Sequence, residues 1–233
     1  MLDTSTPSLA RASDYLLGGG ASFAADRALA LRLEGLYPQI RDLLFSSRMY
    51  TADTVARIAR GGVDQFLDIG SGLPTTPATH ETARALQPGA RIVYVDRDPE
   101  VIQHGRALVP AGVRYVEGDL AEPEAILARE EIGALIDFSR PVCLVLALVL
   151  QTLDPGTARA VGGILVRSLP PGSYFVATAA AGPTSLPGFT WTGAFTPDDL
   201  GSFFACLDLL PPGVHEGPGD AVGRALCAAG VKP

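Results

Sequence analysis

Three aspartates mark where this chain could do chemistry. Each closes a short apolar run: "QFLDIG" carries Asp68, "RIVYVD" ends on Asp96 and "VRYVEGD" ends on Asp119. If the runs are strands of a parallel sheet, all three acids fall at its carboxyl edge, where ligands bind in such folds. A carboxylate accepts hydrogens from hydroxyls and amines. Asp96 follows Asp68 by 28 residues, which places it to accept both hydroxyls of a ribose. Asp119 is placed to accept the exocyclic amine of an adenine, with the Leu120 N–H near a ring nitrogen. Taken singly, each acid fits a helix cap or a surface loop equally well. Three at successive strand ends favour a binding edge.

The segment after Asp68, "IGSGLPTTP", holds Gly70, Ser71 and Gly72. Two glycines allow a tight turn and a close backbone approach to a ligand. The dinucleotide fingerprint requires a third glycine where this chain has Thr75, and no Lys-Ser or Lys-Thr follows as in a phosphate-binding loop. Diphosphate ligands are therefore disfavoured. Among the three histidines, His80 lies nearest this loop in sequence and is the candidate general base, since imidazole titrates near neutrality. His80 reads more readily as a helix-surface or supporting residue, and His104 and His215 read as structural. No two histidines have metal-ligand spacing, and Cys143, Cys206 and Cys227 match no zinc pattern, so no metal is expected.

The elements that must position these residues follow from periodicity. Short apolar runs alternate with helical stretches from Val63 onward, as in "PATHETARAL" and "PEVIQHGRALV". That alternation predicts an α/β fold with a parallel sheet covered on both faces. "VCLVLALVL" (142–150) is too short to cross a membrane and reads as a strand buried on both sides. Residues 1–62 read as an N-terminal helical segment, with Ser22 a candidate N-cap and the last helix closing at Gly61-Gly62. Residues 63–233 read as one compact unit. Thr76-Pro77, Asp98-Pro99 and Thr196-Pro197 are candidate helix starts.

Composition bounds the partners. The chain has 233 residues, 47% hydrophobic and 18% charged, with a net charge of −7. A sizeable core is available, whereas the basic surface that nucleic acid requires is absent from the sequence pattern. A cytoplasmic protein with a small-molecule substrate is expected, without a membrane or nucleic-acid partner. Its oligomeric state is open, a homodimer included.

A glycine loop followed by two strand-end acids resembles the class I S-adenosylmethionine-dependent methyltransferases. "LPPGSYFV" is similar to that fold's turn into the fifth strand. The ordered motifs "RASDYLLGGGASFAADR", "FLDIGSGLPTTPATHE", "VYVDRDP", "DFSRPVCLVLALVLQ" and "LPPGSYFVA" resemble an actinobacterial S-adenosyl methyltransferase family over nearly the whole chain. The resemblance implies a Rossmann-like, mostly parallel seven-stranded sheet under an N-terminal helical lid, with S-adenosylmethionine as cofactor. It implies Asp68, Gly70, Ser71 and Gly72 at the methionine end, Asp96 at the ribose, and Asp119 and Leu120 at the adenine; Arg97 is a further cofactor-binding candidate. Tyr15 is a candidate to close over the cofactor, and Arg27 and Arg48 are candidate partners for its carboxylate. Phe23, Gly20 and the aromatic loop bearing Phe189, Trp191 and Phe195 are candidates for the substrate pocket. The family usually carries Lys-Asp-Asn at Gly20, Ala21 and Ser22, and His at Gln151. Gln151 is thus, with His80, a candidate catalytic residue. The loss of two proton-transfer groups leaves two outcomes open: methylation of a small molecule in specialised metabolism, or a non-methylating reaction or cofactor sensing on the same fold.

Overall fold

The computed structural model describes residues 4–181, 195–217 and 225–233. Five parallel strands make the centre of the sheet: β1 (Gln65–Ile69), β2 (Arg91–Asp96), β3 (Val113–Glu117), β4 (Cys143–Ala147) and β5 (Tyr174–Ala180). Their order is β3-β2-β1-β4-β5. The strand order therefore switches direction between β1 and β4, which is where an open α/β sheet leaves a crevice at its carboxyl edge.

Among the described residues the sheet has eight strands instead of the expected seven. β6 (Asp208–Leu209) and β7 (His215–Glu216) are both antiparallel to β8 (Ala225–Val231), which in turn is antiparallel to β5. Asp208 lies opposite Val231 and His215 opposite Cys227, so β6 and β7 are two pieces of one outer line. Pro211 and Pro212 separate them, and neither has an N–H to give to a ladder.

Nine described helices flank or edge the sheet. They are α1 (Leu9–Leu16), α2 (Ala24–Leu36), α3 (Ile40–Arg60), α4 (Thr79–Leu86), α5 (Pro99–Leu108), α6 (Pro123–Leu127), α7 (Glu130–Gly133), α8 (Pro155–Ser168) and α9 (Pro197–Ser202). Alternate strand residues feed two cores, as a pleated strand buried on both faces must. Leu67, Val93, Leu144 and Phe175 pack with Val161 and Leu165 of α8 on one face. Phe66, Ile92, Val145 and Val176 pack with Val55 and Ile58 of α3 on the other. A third cluster joins α1, α2 and α3 through Leu16, Leu33 and Leu43.

Three local expectations are corrected. The N-cap of α2 is Phe23 rather than Ser22, because the Asp26 carboxylate reaches back to accept the Phe23 N–H at 2.8 Å. The N-cap of α4 is Ala78 rather than Thr76, with Glu81 accepting the Ala78 N–H at 2.9 Å. The apolar run 142–150 is not all strand. β4 stops at Ala147, Leu148 takes φ +52°, and a 3₁₀ turn follows over Leu150–Thr152. The Leu148 N–H donates to both the carbonyl and the hydroxyl of Thr178, at 3.0 and 3.1 Å, which turns the chain out of the sheet.

The first helix is fixed by a buried ion cluster. Arg11 is 1% exposed and donates to Asp26 (0% exposed) and to Glu100 of α5, each at 2.8 Å. The Asp26 carboxylate also accepts the Ser8 and Phe23 N–H groups, both at 2.8 Å. Both Asp26 oxygens are thus occupied, the condition under which a buried pair holds rather than weakens a fold.

Candidate functional site

A cavity of about 290 Å³ opens at the carboxyl ends of β1 to β4, between the sheet edge, α1 and α3. Its floor is the loop after β1. Gly70 (φ +68°) and Gly72 (φ +60°) adopt conformations that side chains disfavour. At Gly70 a Cβ would also lie 2.1 Å from Val149 Cγ2. The loop is pinned from below, with the Gly70 and Ser71 N–H groups both donating to the Val95 carbonyl. The Tyr115 hydroxyl donates to the Gly72 carbonyl at 2.9 Å, and Tyr115 stacks on Tyr94.

The three predicted acids all face the cavity. Asp68 is buried and accepts the Thr79 hydroxyl at 2.7 Å. Burial pushes its carboxyl up to about 6, opposed by that hydrogen bond and by the Arg48 charge. Asp96 accepts the Gly72 N–H at 2.9 Å and the Asp98 N–H at 3.0 Å, and burial raises its carboxyl as well. Asp119 is more exposed, with Arg97 3.9 Å away, and accepts the Ala121 N–H. Gly70, Ser71, Gly72, Arg97 and Leu120 line the same cavity.

The wall opposite the sheet comes from α3. Leu44, Ser47, Arg48 and Thr51 follow helical i, i+3, i+4, i+7 spacing and all face the cavity. Ser47 is bonded to Thr178 at 2.7 Å. The Thr51 hydroxyl is buried and has no hydrogen-bond partner. Arg48 sits close enough to Asp68 to influence its ionisation. A carboxylate, a guanidinium and an unsatisfied hydroxyl at one end suit a ligand bearing both an ammonium and a carboxylate.

The roof is α1. Ser8, Leu9, Ala10, Ser13, Asp14 and Leu17 face the cavity. Asp14 accepts the Thr75 hydroxyl at 2.6 Å and the Ala21 N–H at 2.9 Å. A Cβ at Gly19 would lie 2.1 Å from the Asp14 carboxylate, so the glycine run wraps that side chain.

Several candidates lie elsewhere. Tyr15 belongs to α1, with the Arg41 guanidinium over its ring, and is not among the residues that line the cavity. Phe23 caps α2 under the Arg11 guanidinium. Gly20 is exposed, with open space where a side chain would project. Arg27 donates to the Ser22 carbonyl on the surface. His80 stands behind the floor, where its N–H and Nδ1 both meet the Tyr94 hydroxyl at 2.9 Å, and burial lowers its pKa. Gln151 is fully buried in the 3₁₀ turn, and neither amide atom has a partner. Phe195 is buried against Phe203. Trp191 and Phe189 lie outside the described residues. Among the described residues, no group of acids, histidines and cysteines is arranged to hold a metal ion. No described helix is long and apolar enough to cross a membrane.

Thr51, Asp14 and Leu148 were missed from sequence. The spacing from Leu44 to Thr51 was the available signal for the α3 wall.

Strand order, switch point and the acid-rimmed glycine loop define a class I methyltransferase fold. A family model described as S-adenosyl methyltransferase matches residues 1–219, and the chain belongs to that family. Its activity is therefore S-adenosylmethionine-dependent methyl transfer. A crystal structure from Thermobifida fusca YX, assigned as a methyltransferase, is 35% identical with a TM-score of 0.87, covering 99% of this chain and 96% of that one. A DUF574 family protein from Streptomyces avermitilis MA-4680 is 28% identical with a TM-score of 0.86, covering 99% of each chain. The N-methyltransferase NodS from Bradyrhizobium japonicum WM9, in complex with S-adenosyl-L-homocysteine, shares the fold alone: 16% identity and a TM-score of 0.54, over 78% of this chain and 85% of that one. No curated protein matches the chain.

Proposed function

We propose that this enzyme methylates a small molecule, in specialised metabolism and in the cytoplasm, rather than a nucleic acid or a membrane component. The helix laid over the cavity carries this reading. Its roof, α1, is tied down by the Arg11 cluster and by Asp14–Thr75, which restricts the room a polymer would need above the sheet edge. Residues 1–62 then act as a cap over the binding unit of residues 63–233.

S-adenosylmethionine, when bound, supplies a methyl group activated on a sulfonium. Asp96, beside Arg97, accepts the ribose hydroxyls, and Asp119 with the Leu120 N–H takes the adenine edge. Asp68 pairs with the amino-acid ammonium. Arg48 and the orphaned Thr51 hydroxyl take the carboxylate, which satisfies the one unpartnered hydroxyl in the wall. Gly70, Ser71 and Gly72 let the backbone approach closely enough for this. Asp14 and Leu17 exclude water from above. The residues thus supply positioning and dehydration, which favour displacement at a methyl cation donor.

Methyl-labelled cofactor incubated with the enzyme and an actinobacterial cell extract tests the reading. Label in the low-molecular-weight fraction, matched by S-adenosylhomocysteine, is expected. Label recovered only in protein or nucleic acid overturns it.

A further inference from the structure

A polar row crosses the sheet beneath the glycine loop. Asp68 of β1 is the register partner of Tyr94 on β2, and Tyr94 is that of Tyr115 on β3. Register partners point to the same face, so the three side chains stand side by side. The rest of that face is apolar, with Phe66, Ile92, Val145 and Val176. All three polar residues are buried. A polar group in such a place costs stability unless it is bonded. Here each is bonded, and each to the same stretch of chain. Tyr115 donates to the Gly72 carbonyl at 2.9 Å. Tyr94 accepts the His80 N–H at 2.9 Å. Asp68 accepts the Thr79 hydroxyl at 2.7 Å. The row is a template for residues 72–80, which run from the cavity floor into α4.

Thr79 is the first residue of α4, and its place is set from both sides. Glu81 accepts the Ala78 N–H before it, and Tyr94 accepts the His80 N–H after it. A backbone N–H only donates, so the Tyr94 oxygen is the acceptor in that bond. The His80 ring closes on the same hydroxyl, with Nδ1 at 2.9 Å. Burial lowers the His80 pKa. A neutral ring with its proton on Nε2 takes the Tyr94 hydrogen at Nδ1. Two bonds between one histidine and one tyrosine thus lock the start of α4 over β2. The Thr79 hydroxyl meets Asp68 Oδ2 from a fixed direction as a result.

We propose that Thr79 is a positioning residue of the cofactor site: it holds Asp68 Oδ2 down against α4 and so presents Oδ1 to the cofactor's ammonium, while the Tyr94–His80 pair holds Thr79. The proposal rests on the pairing of Asp68 with that ammonium put forward above. It gives His80 a supporting part beneath the floor instead of a proton-transfer role.

The Thr79 hydrogen bond favours the ionised carboxylate, against the burial that raises Asp68 to about 6. The other titratable or charged groups around Asp68 are Arg48 of α3, Tyr94 and Asp96 of β2, Tyr115 of β3, Cys143 of β4, His80 of α4 and, across the cavity, Asp14 of α1. Arg97, Asp98 and Asp119 stand further along the cavity edge. Burial raises Tyr94, Tyr115 and Cys143, which therefore stay neutral near pH 6. Asp68→Asn separates Asp68 from Asp96 and His80. Without the Thr79 donor the neutral carboxyl gains, and binding that needs the carboxylate is lost at a higher pH.

Calorimetry on the full chain across a pH series tests this, with S-adenosylhomocysteine as one probe and adenosine, which lacks the amino-acid end, as the other. The natural chain is expected to lose S-adenosylhomocysteine affinity as pH falls through about 6. Thr79→Val is expected to weaken S-adenosylhomocysteine at least about fivefold near that pH and to move the midpoint upward by at least about half a pH unit. Adenosine is expected to bind Thr79→Val within about twofold of the natural chain, and Thr79→Ser to recover the S-adenosylhomocysteine values. Tyr94→Phe is expected to move the midpoint in the same direction as Thr79→Val. An unmoved midpoint in Thr79→Val overturns the proposal, as does an equal loss for adenosine or a failure of Thr79→Ser to recover. An unmoved midpoint in Tyr94→Phe overturns the part given to Tyr94 and His80. If Asp68→Asn keeps the natural affinity and midpoint for S-adenosylhomocysteine, the pairing beneath the proposal falls instead.

Discussion

The Asp14 carboxylate accepts the Thr75 hydroxyl at 2.6 Å, joining α1 to the loop that follows β1 across 61 residues of sequence. Roof and floor of the cavity meet at this bond. Thr75 also occupies the position where a dinucleotide fingerprint would have its third glycine, so the same residue that departs from that motif fastens the cap.

Removing the bond should loosen the roof without unfolding the sheet. Thr75→Val leaves the Asp14 carboxylate short of one donor, at a cost of about 1–3 kcal/mol. Hydrogen exchange over residues 8–21 is expected to quicken, and S-adenosylmethionine affinity to fall about tenfold by calorimetry. Unchanged exchange in that segment would show that the Arg11 cluster holds α1 alone.

The proposed pairing of Asp68 with the cofactor ammonium makes binding depend on pH. Burial raises its carboxyl to about 6 in the free protein, and pairing with an ammonium favours the ionised form. Affinity is therefore full above pH 6 and declines as pH falls through it, with proton release on binding near pH 6. Calorimetry in buffers of different ionisation enthalpy reads that proton. The sign for folding is the reverse. A native pKa above the unfolded value means the ionised form is disfavoured in the fold, so stability drops as pH rises from about 4 through 6. Asp68→Asn should raise the Tm of the free protein at pH 7 and weaken cofactor binding.

Asp96→Ala removes the proposed ribose acceptor and a partner of the Gly72 and Asp98 N–H groups. Cofactor affinity should fall by about 1–3 kcal/mol, the range for a charged hydrogen-bond partner. An unaltered dissociation constant would move the ribose elsewhere.

Gly70→Ala combines a left-handed backbone with a Cβ placed 2.1 Å from Val149 Cγ2. A urea-midpoint loss of about 2 kcal/mol or more is expected, since both strain and overpacking contribute. Val149→Ala in the same chain should recover part of it, the overpacking share. Full recovery would mean that φ costs nothing here.

Gln151 presents a buried carboxamide with neither atom satisfied. Such a group costs about 1–3 kcal/mol. Gln151→Met should therefore stabilise the fold in a denaturant titration. We expect it to lower turnover more than cofactor affinity, in keeping with a role on the acceptor side. Equal losses would place it with the cofactor.

Much of the fold was legible because its signals are local. Short, continuously apolar runs marked the strands, the Asp98-Pro99 and Thr196-Pro197 caps are where the sequence put them, and Arg57 and Arg60 close α3 before Gly61. The caps that differed did so because an acid three residues on, Asp26 or Glu81, supplied the acceptor instead. The split outer strand and the early end of β4 were hidden because each depends on a partner strand.

The sequence by itself determined the sheet, the acid at each of three strand ends and the glycine loop between them, since apolar runs and turn chemistry are written over a few adjacent residues. Only the tertiary structure decided which other groups reach that edge. It brought Arg48, Thr51, Asp14 and Leu148 to the cavity. It placed Tyr15, Phe23, Gly20, His80 and Gln151 outside its lining. Those outcomes depend on how α1 and α3 pack across the sheet. Packing is set by buried clusters and by contacts such as Arg11–Glu100 and Ser47–Thr178, between residues 89 and 131 positions apart.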